Sequence, residues 1–269
     1  MMADKLMVGK YYPLDSLVHN LDARTKLLIM ILYMAALFTA SDWLAFALFT
    51  AVFLAFLFMS HVPIYALWRG MWLIVILIAV GMFFNFFATS GTVIAQWGFL
   101  QLTAEGLAQG LKLGLRLILL IFFVSLLTLC TRPLDLTDGL EQILSPLAKK
   151  GAPIHEFAMV ISLALRFIPT ILQEFDRIVL AQKARGAQFS GGLINKIKQT
   201  MPLLVPLFIS TFRRADDLAL AMDARCYTGG QGRSRWRQNR WRLSDTVVII
   251  IFLAMTTLII YWRIRGLYA

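Results

Sequence analysis

Two tripeptides carry the residue types best suited to recognition, Ala184-Arg185-Gly186 and Ala224-Arg225-Cys226, with Arg225 forty residues after Arg185. Each closes a helix-forming stretch and sets one arginine between small neighbours, which leaves the guanidinium free to enter a groove on a partner. Its five donors form a rigid fork that matches carboxylates and backbone carbonyls. One such tripeptide alone reads most simply as a solvated charge at a helix C-terminus, where the dipole favours a cation. Two copies in like surroundings suit a partner with two similar grooves.

Catalytic chemistry finds little to work with. His19, His61 and His155 are scattered, with no partner one helical turn away and no acidic cluster, so neither a metal site nor a general base is expected. Cys130 and Cys226 are far apart in unlike surroundings and imply no disulfide or metal. There is no GxxxxGK[ST] phosphate loop, no Ser/His/Asp or Cys/His set, and no acid inside the apolar runs to line an ion-coupled path. The expectation is a chain that is no enzyme, holds no cofactor and leaves ATP hydrolysis to others.

The elements that would position the arginines belong to a membrane protein. Hydrophobic residues make up 59% of 269 and charged residues 15%, where a soluble domain carries about a quarter charged. Crossing about 30 Å of hydrocarbon takes about 20 apolar residues in helix. Runs over 27–40, 43–59, 71–88, 113–131 and 247–262 give five expected spans, the first two joined by the Ser41-Asp42 turn. The 89–103 segment reads as a polar, aromatic-tipped loop. No signal peptide is expected, and no low-complexity segment or repeat of 20–50 residues stands out.

Basic residues set the expected orientation. Lys5, Lys10, Arg24 and Lys26 precede the first span, the 41–42 turn has none, Arg69 follows the second span, and 89–105 has none. The N-terminus and the stretch 132–245 are therefore expected in the cytoplasm. The segments 154–172, with Glu156 and Arg166, and 201–212, with Pro202 and Pro206, read as amphipathic helices at the membrane surface, because crossing would carry Lys183, Arg185, Lys196 and Lys198 outside. Within this stretch Thr137 or Asp138 can cap a helix over 138–144 that Pro146 and Pro153 break, and a helix from Ile154 to Arg185, kinked at Pro169, would be roughly 48 Å long. The organisation expected is 1–131 with four spans, 132–245 as a cytoplasmic coupling-helix module, and 246–269 with the last span.

The opening GKYYPLDSLVHNLDARTKLL, the TRPLDL turn after the fourth run, LRFIP and the paired Ala-Arg-small motifs together resemble the T component of energy-coupling factor transporters, the membrane scaffold of ABC-type vitamin and metal importers. The resemblance covers nearly the whole chain. It implies that Arg185 and Arg225, at the ends of cytoplasmic coupling helices, dock onto two ABC-type ATPase subunits, identical or paired, and that a separate substrate-binding membrane S component is the other partner. At Cys226 the family pattern has glycine, so any need for positive φ there is put in question.

Other features have plainer expected roles. Gly106, Gly110 and Gly114 recur every four residues, a spacing that lets helix backbones approach closely in lipid, either within the chain or against the substrate subunit. Lys112 and Arg116 are expected to snorkel to the headgroups. The arginine-rich run Arg233–Arg242 resembles a nucleic-acid arm in isolation, but its place before a span makes it a topology signal that binds acidic lipid at about 1 kcal/mol per charge; no nucleic-acid partner is expected. It also accounts for part of the formal charge of +11 and pI of about 10.0. Asp216 and Asp217 are expected to pair locally with Arg213 and Arg214.

The expected fold is thus all-α, a multi-pass cell-membrane protein with about five spans and a module of amphipathic coupling helices. Its expected role is an energy-coupling scaffold for vitamin or micronutrient uptake. A secondary transporter would show polar or broken helices at midplane, a membrane enzyme would need clustered titratable groups, and an insertase would use its basic cytoplasmic surface for nascent chains.

Overall fold

The computed structural model describes residues 11–97, 100–148, 153–187, 193–229 and 241–264. In chain order the described elements are α1 (Ala23–Thr39), α2 (Trp43–Ser60), α3 (Ile64–Ala88), β1 (Val93–Trp97), β2 (Leu100–Thr103), α4 (Ala104–Leu129), α5 (Pro133–Ala148), α6 (Ile154–Ala184), α7 (Leu193–Asp223) and α8 (Leu243–Ile264). They fall into two compact units, one of Gly9–Leu140 with Asn239–Ala269, the other containing Glu141–Gln238.

The first unit is a bundle of α1, α2, α3, α4 and α8. Its buried centre is aromatic: the Tyr33 ring stacks on Phe123 with centroids 3.9 Å apart, and Phe49, Phe56 and Phe252 close around them. In an apolar interior the Tyr33 hydroxyl needs an acceptor, and it donates to the Phe49 carbonyl at 3.3 Å. At one end of the bundle three helix ends converge. Asp22 caps α1 by accepting from the Arg24 N–H at 2.9 Å. The fully buried Asp245 accepts from the backbone N–H of both Asp22 and Arg242, at 2.9 and 2.8 Å, joining the starts of α1 and α8. Lys26, also buried, donates to the carbonyls of His19 and Cys130 at 3.1 and 3.0 Å, so a cation sits at the C-terminus of α4 where the dipole favours it.

Several boundaries differ from the sequence-based expectation, each for a local reason. The fourth apolar run starts at residue 113, but α4 starts nine residues earlier, because the Thr103 hydroxyl caps it by accepting from the Gly106 N–H at 3.1 Å. Within the 89–103 segment, expected as a loop, β1 and β2 pair antiparallel, and the Glu105 carboxylate accepts from the Thr92 backbone N–H at 2.6 Å just ahead of β1. Helix α5 begins at Pro133, where a missing N–H costs nothing, rather than at 138. Pro146 lies inside α5 and does not end it: the Gln142 carbonyl, which Pro146 cannot serve, accepts from the Ser145 hydroxyl at 2.9 Å. Helix α7 runs through Pro202 and Pro206 for 31 residues, far beyond the expected 201–212.

Five described helices are long and apolar enough to cross a membrane. The number agrees with expectation but the set does not. Helix α1, with 17 residues, is shorter than those five, while α6 has an 18-residue window of sufficient apolarity. Among the described residues the fold is all-α apart from one two-stranded sheet.

Candidate functional site at two helix ends

Both Ala-Arg-small motifs terminate helices in the second unit, and they do so with the same hydrogen-bond pattern. At the end of α6 the Gly186 N–H donates to Lys183 O and the Ala187 N–H to Gln182 O, both at 3.0 Å. At the end of α7 the Cys226 N–H donates to Asp223 O at 2.9 Å and the Tyr227 N–H to Met222 O at 3.1 Å. Each is a Schellman cap, with arginine as the capping residue and the next residue left-handed. Gly186 has φ +89° and Cys226 has φ +54°. Position 226 therefore does use positive φ, and here a side chain bears the cost that glycine avoids. At Gly186 an added Cβ would meet nothing within 4 Å, so the glycine serves conformation and not space.

Ala184, Arg185, Gly186, Ala224, Arg225 and Cys226 are all exposed. Helices α6 and α7 run antiparallel: the Tyr227 hydroxyl donates to Met159 Sδ at 3.0 Å, and Arg214 Nη2 lies 3.9 Å from Glu174 Oε2. The two arginines thus sit at opposite ends of the pair. Sequence reasoning matched Arg213 and Arg214 with Asp216 and Asp217; the acid that Arg214 meets is Glu174 of the other helix.

Other anticipated features are placed as follows. Gly106, Gly110 and Gly114 are buried and face α3, where added Cβ atoms would meet Phe86 O, the Phe86 ring and the Met82 side chain respectively. The head of Arg116 reaches the end of α1. It donates to the carbonyl of Ala40, the cap of α1, and lies 5.7 Å from the Phe46 ring centre, which fixes the α1–α2 turn. Lys112 lies over the Trp43 ring at 5.6 Å. His155 Nδ1 is 3.1 Å from Glu141 Oε1, and among the described residues no cluster of His, Cys, Asp or Glu could hold a metal ion. Burial holds His19 below its ordinary value, the Tyr12 carbonyl pulling the other way. The arginine-rich run lies, up to residue 240, outside the described residues.

The likeness of the two caps, which share one hydrogen-bond pattern, extends back along both helices. With α7 shifted by forty residues, Asp176, Leu180, Ala181, Ala184 and Arg185 coincide with Asp216, Leu220, Ala221, Ala224 and Arg225. Exposure repeats as well: residues 180, 181 and 183–186 are exposed and 182 is half-buried, and 220, 221, 223–226 and 222 match them in turn. The repeat is too short to register as periodicity over the whole chain.

The model of the CbiQ cobalt transport protein family matches residues 15–236. An energy-coupling factor transporter transmembrane protein EcfT of Listeria innocua is 44% identical over 266 residues, covering 97% of this chain and 99% of the relative. The chain belongs to this family. EcfT proteins of Thermosediminibacter oceani and Bacillus subtilis are 46% and 40% identical, over 91% and 97% of this chain and 93% and 100% of their own lengths. Together with the five apolar helices, membership in the EcfT family makes this a multi-pass membrane protein of a transport family.

Proposed function

We propose that the chain is the energy-coupling scaffold of an energy-coupling factor importer, with Arg185 and Arg225 as the side chains that dock two ABC-type ATPase subunits. The observation that carries this reading is the matched pair of helix caps, which present two arginines in one local geometry at opposite ends of α6 and α7. Two like ends suit two like grooves. ATP-driven closure and opening of the subunits moves those ends, and the helices carry the motion to the membrane unit. There it reorients a substrate-binding membrane subunit that releases a vitamin or related micronutrient inward. The chain itself performs no chemistry and needs no cofactor.

The same reading places the N-terminus and 132–245 in the cytoplasm. Helix α6 then lies at the membrane surface despite its apolar window, since a crossing would carry one of the two arginine ends away from the ATPases. Its acids and bases, Glu156, Arg166, Glu174, Asp176, Arg177 and Lys183, support a surface position. Uptake measured in cells or proteoliposomes tests the proposal. An Arg185→Ala/Arg225→Ala double variant that inserts normally should transport nothing, and transport at the unaltered rate rejects the role.

A further inference from the structure

The duplicated surface around each arginine contains more than the arginine. At 100° per residue, the shared positions 176, 180, 184, 181 and 185 fall within one half of the α6 circumference, and their counterparts do so on α7. The only large apolar residue among them is a leucine, and it stands out into solvent on both helices: Leu180 is 65% exposed and Leu220 67%. An exposed leucine in a membrane protein ordinarily faces lipid. These two sit within two turns of charged residues, Asp176, Arg177, Lys183 and Arg185 on one helix and Asp216, Asp217, Asp223 and Arg225 on the other, most of them exposed. A hydrocarbon environment rejects such neighbours.

Apart from these positions the two helix ends diverge. Gln182 matches Met222, Lys183 matches Asp223 and Arg177 matches Asp217. What is held in common is one apolar side chain, small residues that allow close approach, and one guanidinium. That is the composition of an interface end with an apolar anchor and a charged fork. We propose that Leu180 and Leu220 are the apolar anchors of the two docking ends, each seated in an apolar depression beside the arginine's acceptors on one of the two ATPase subunits. A second copy of this chain is a poorer occupant. The equal surfaces lie at opposite ends of an antiparallel pair and call for two like partners.

This inference rests on the docking reading above, and one titration separates the two. The full-length chain in detergent is titrated with its purified ATPase pair, comparing wild type, L180A, L220A, L180A/L220A and R185A/R225A, with self-association followed on the same samples. Each single leucine variant should weaken binding about tenfold, a fold-change typical of losing a buried leucine side chain. Leu180→Met and Leu220→Met should bind as wild type does, because an anchor needs apolar bulk and not branching. Unchanged affinity in L180A/L220A beside a weakened R185A/R225A overturns the anchor role and leaves docking standing. Unchanged affinity in both overturns both. A change confined to self-association assigns the leucines to a contact between copies and overturns the proposal.

Discussion

Glu174 and Arg214 meet across α6 and α7 with Oε2 and Nη2 3.9 Å apart, and this pair marks the midpoint between the two arginine ends. Arg185 lies eleven residues beyond Glu174, and Arg225 eleven beyond Arg214, in opposite directions. At 1.5 Å per residue each arm is about 16.5 Å, so the helix positions of the two arginines are about 33 Å apart along the pair.

The central pair itself contributes little to stability. Both side chains keep substantial exposure, 26% and 40%, and solvent-screened pairs give about 0–1 kcal/mol. Glu174→Gln and Arg214→Gln should each shift the thermal midpoint slightly, and a double-mutant cycle should return a coupling below about 1 kcal/mol. A larger coupling would mean the pair is dry in solution.

Backbone conformation at the caps predicts opposite effects for two substitutions. Cys226→Gly should stabilise the end of α7 by about 1 kcal/mol, since it removes the left-handed cost borne by a side chain. Gly186→Ala should destabilise the end of α6 by about as much, through φ alone, as nothing crowds the added methyl. Thermal unfolding of the detergent-solubilised protein checks both.

The glycine seam predicts a graded series. A Cβ at Gly106 would lie 2.8 Å from the Phe86 carbonyl oxygen, which is backbone and cannot yield, whereas at Gly114 it meets the flexible Met82 side chain. Gly106→Ala should therefore cost about 1–3 kcal/mol and Gly114→Ala less than about 1. The midpoint of thermal unfolding should fall in that order.

Arg116→Met removes a charged donor from the Ala40 carbonyl at the end of α1. It should cost about 1.5–3 kcal/mol and loosen the α1–α2 turn, seen as faster hydrogen exchange around residues 39–43.

For His19 the sign follows from its lowered folded value. Below the ordinary 6.5 the unfolded chain binds the proton more readily, so this group's contribution to stability falls as pH drops from 6.5 through the folded value. His19→Asn should flatten that part of the stability profile between pH 7.5 and 5.5 relative to wild type.

Composition and apolar runs made the membrane class and most of the apolar helices legible, because lipid imposes a one-dimensional requirement that a sequence displays directly, and the arginine pair was visible only through its repeated small neighbours. Boundaries were legible only where no side chain overrode the run. Thr103 starts α4 ahead of its apolar stretch, and Ser145 compensates the carbonyl that Pro146 leaves unserved, so neither a polar flank nor a proline marked a helix end. Arg214 looked paired within its own helix because its acids are adjacent in sequence, but the partner Glu174 comes from forty residues upstream. The Leu180 and Leu220 correspondence needed the two caps to fix its register.

The chain supplies its own probe of the central claim. It has only two cysteines, Cys130 buried and Cys226 exposed beside Arg225. The decisive measurement is the rate at which a membrane-impermeant maleimide labels Cys226 in inside-out vesicles, with and without the ATPase pair. Docking at the α7 cap requires rapid labelling of the chain alone and strong protection once the ATPases are bound; equal rates in the two states, or labelling only from the opposite face of the membrane, would rule that docking out.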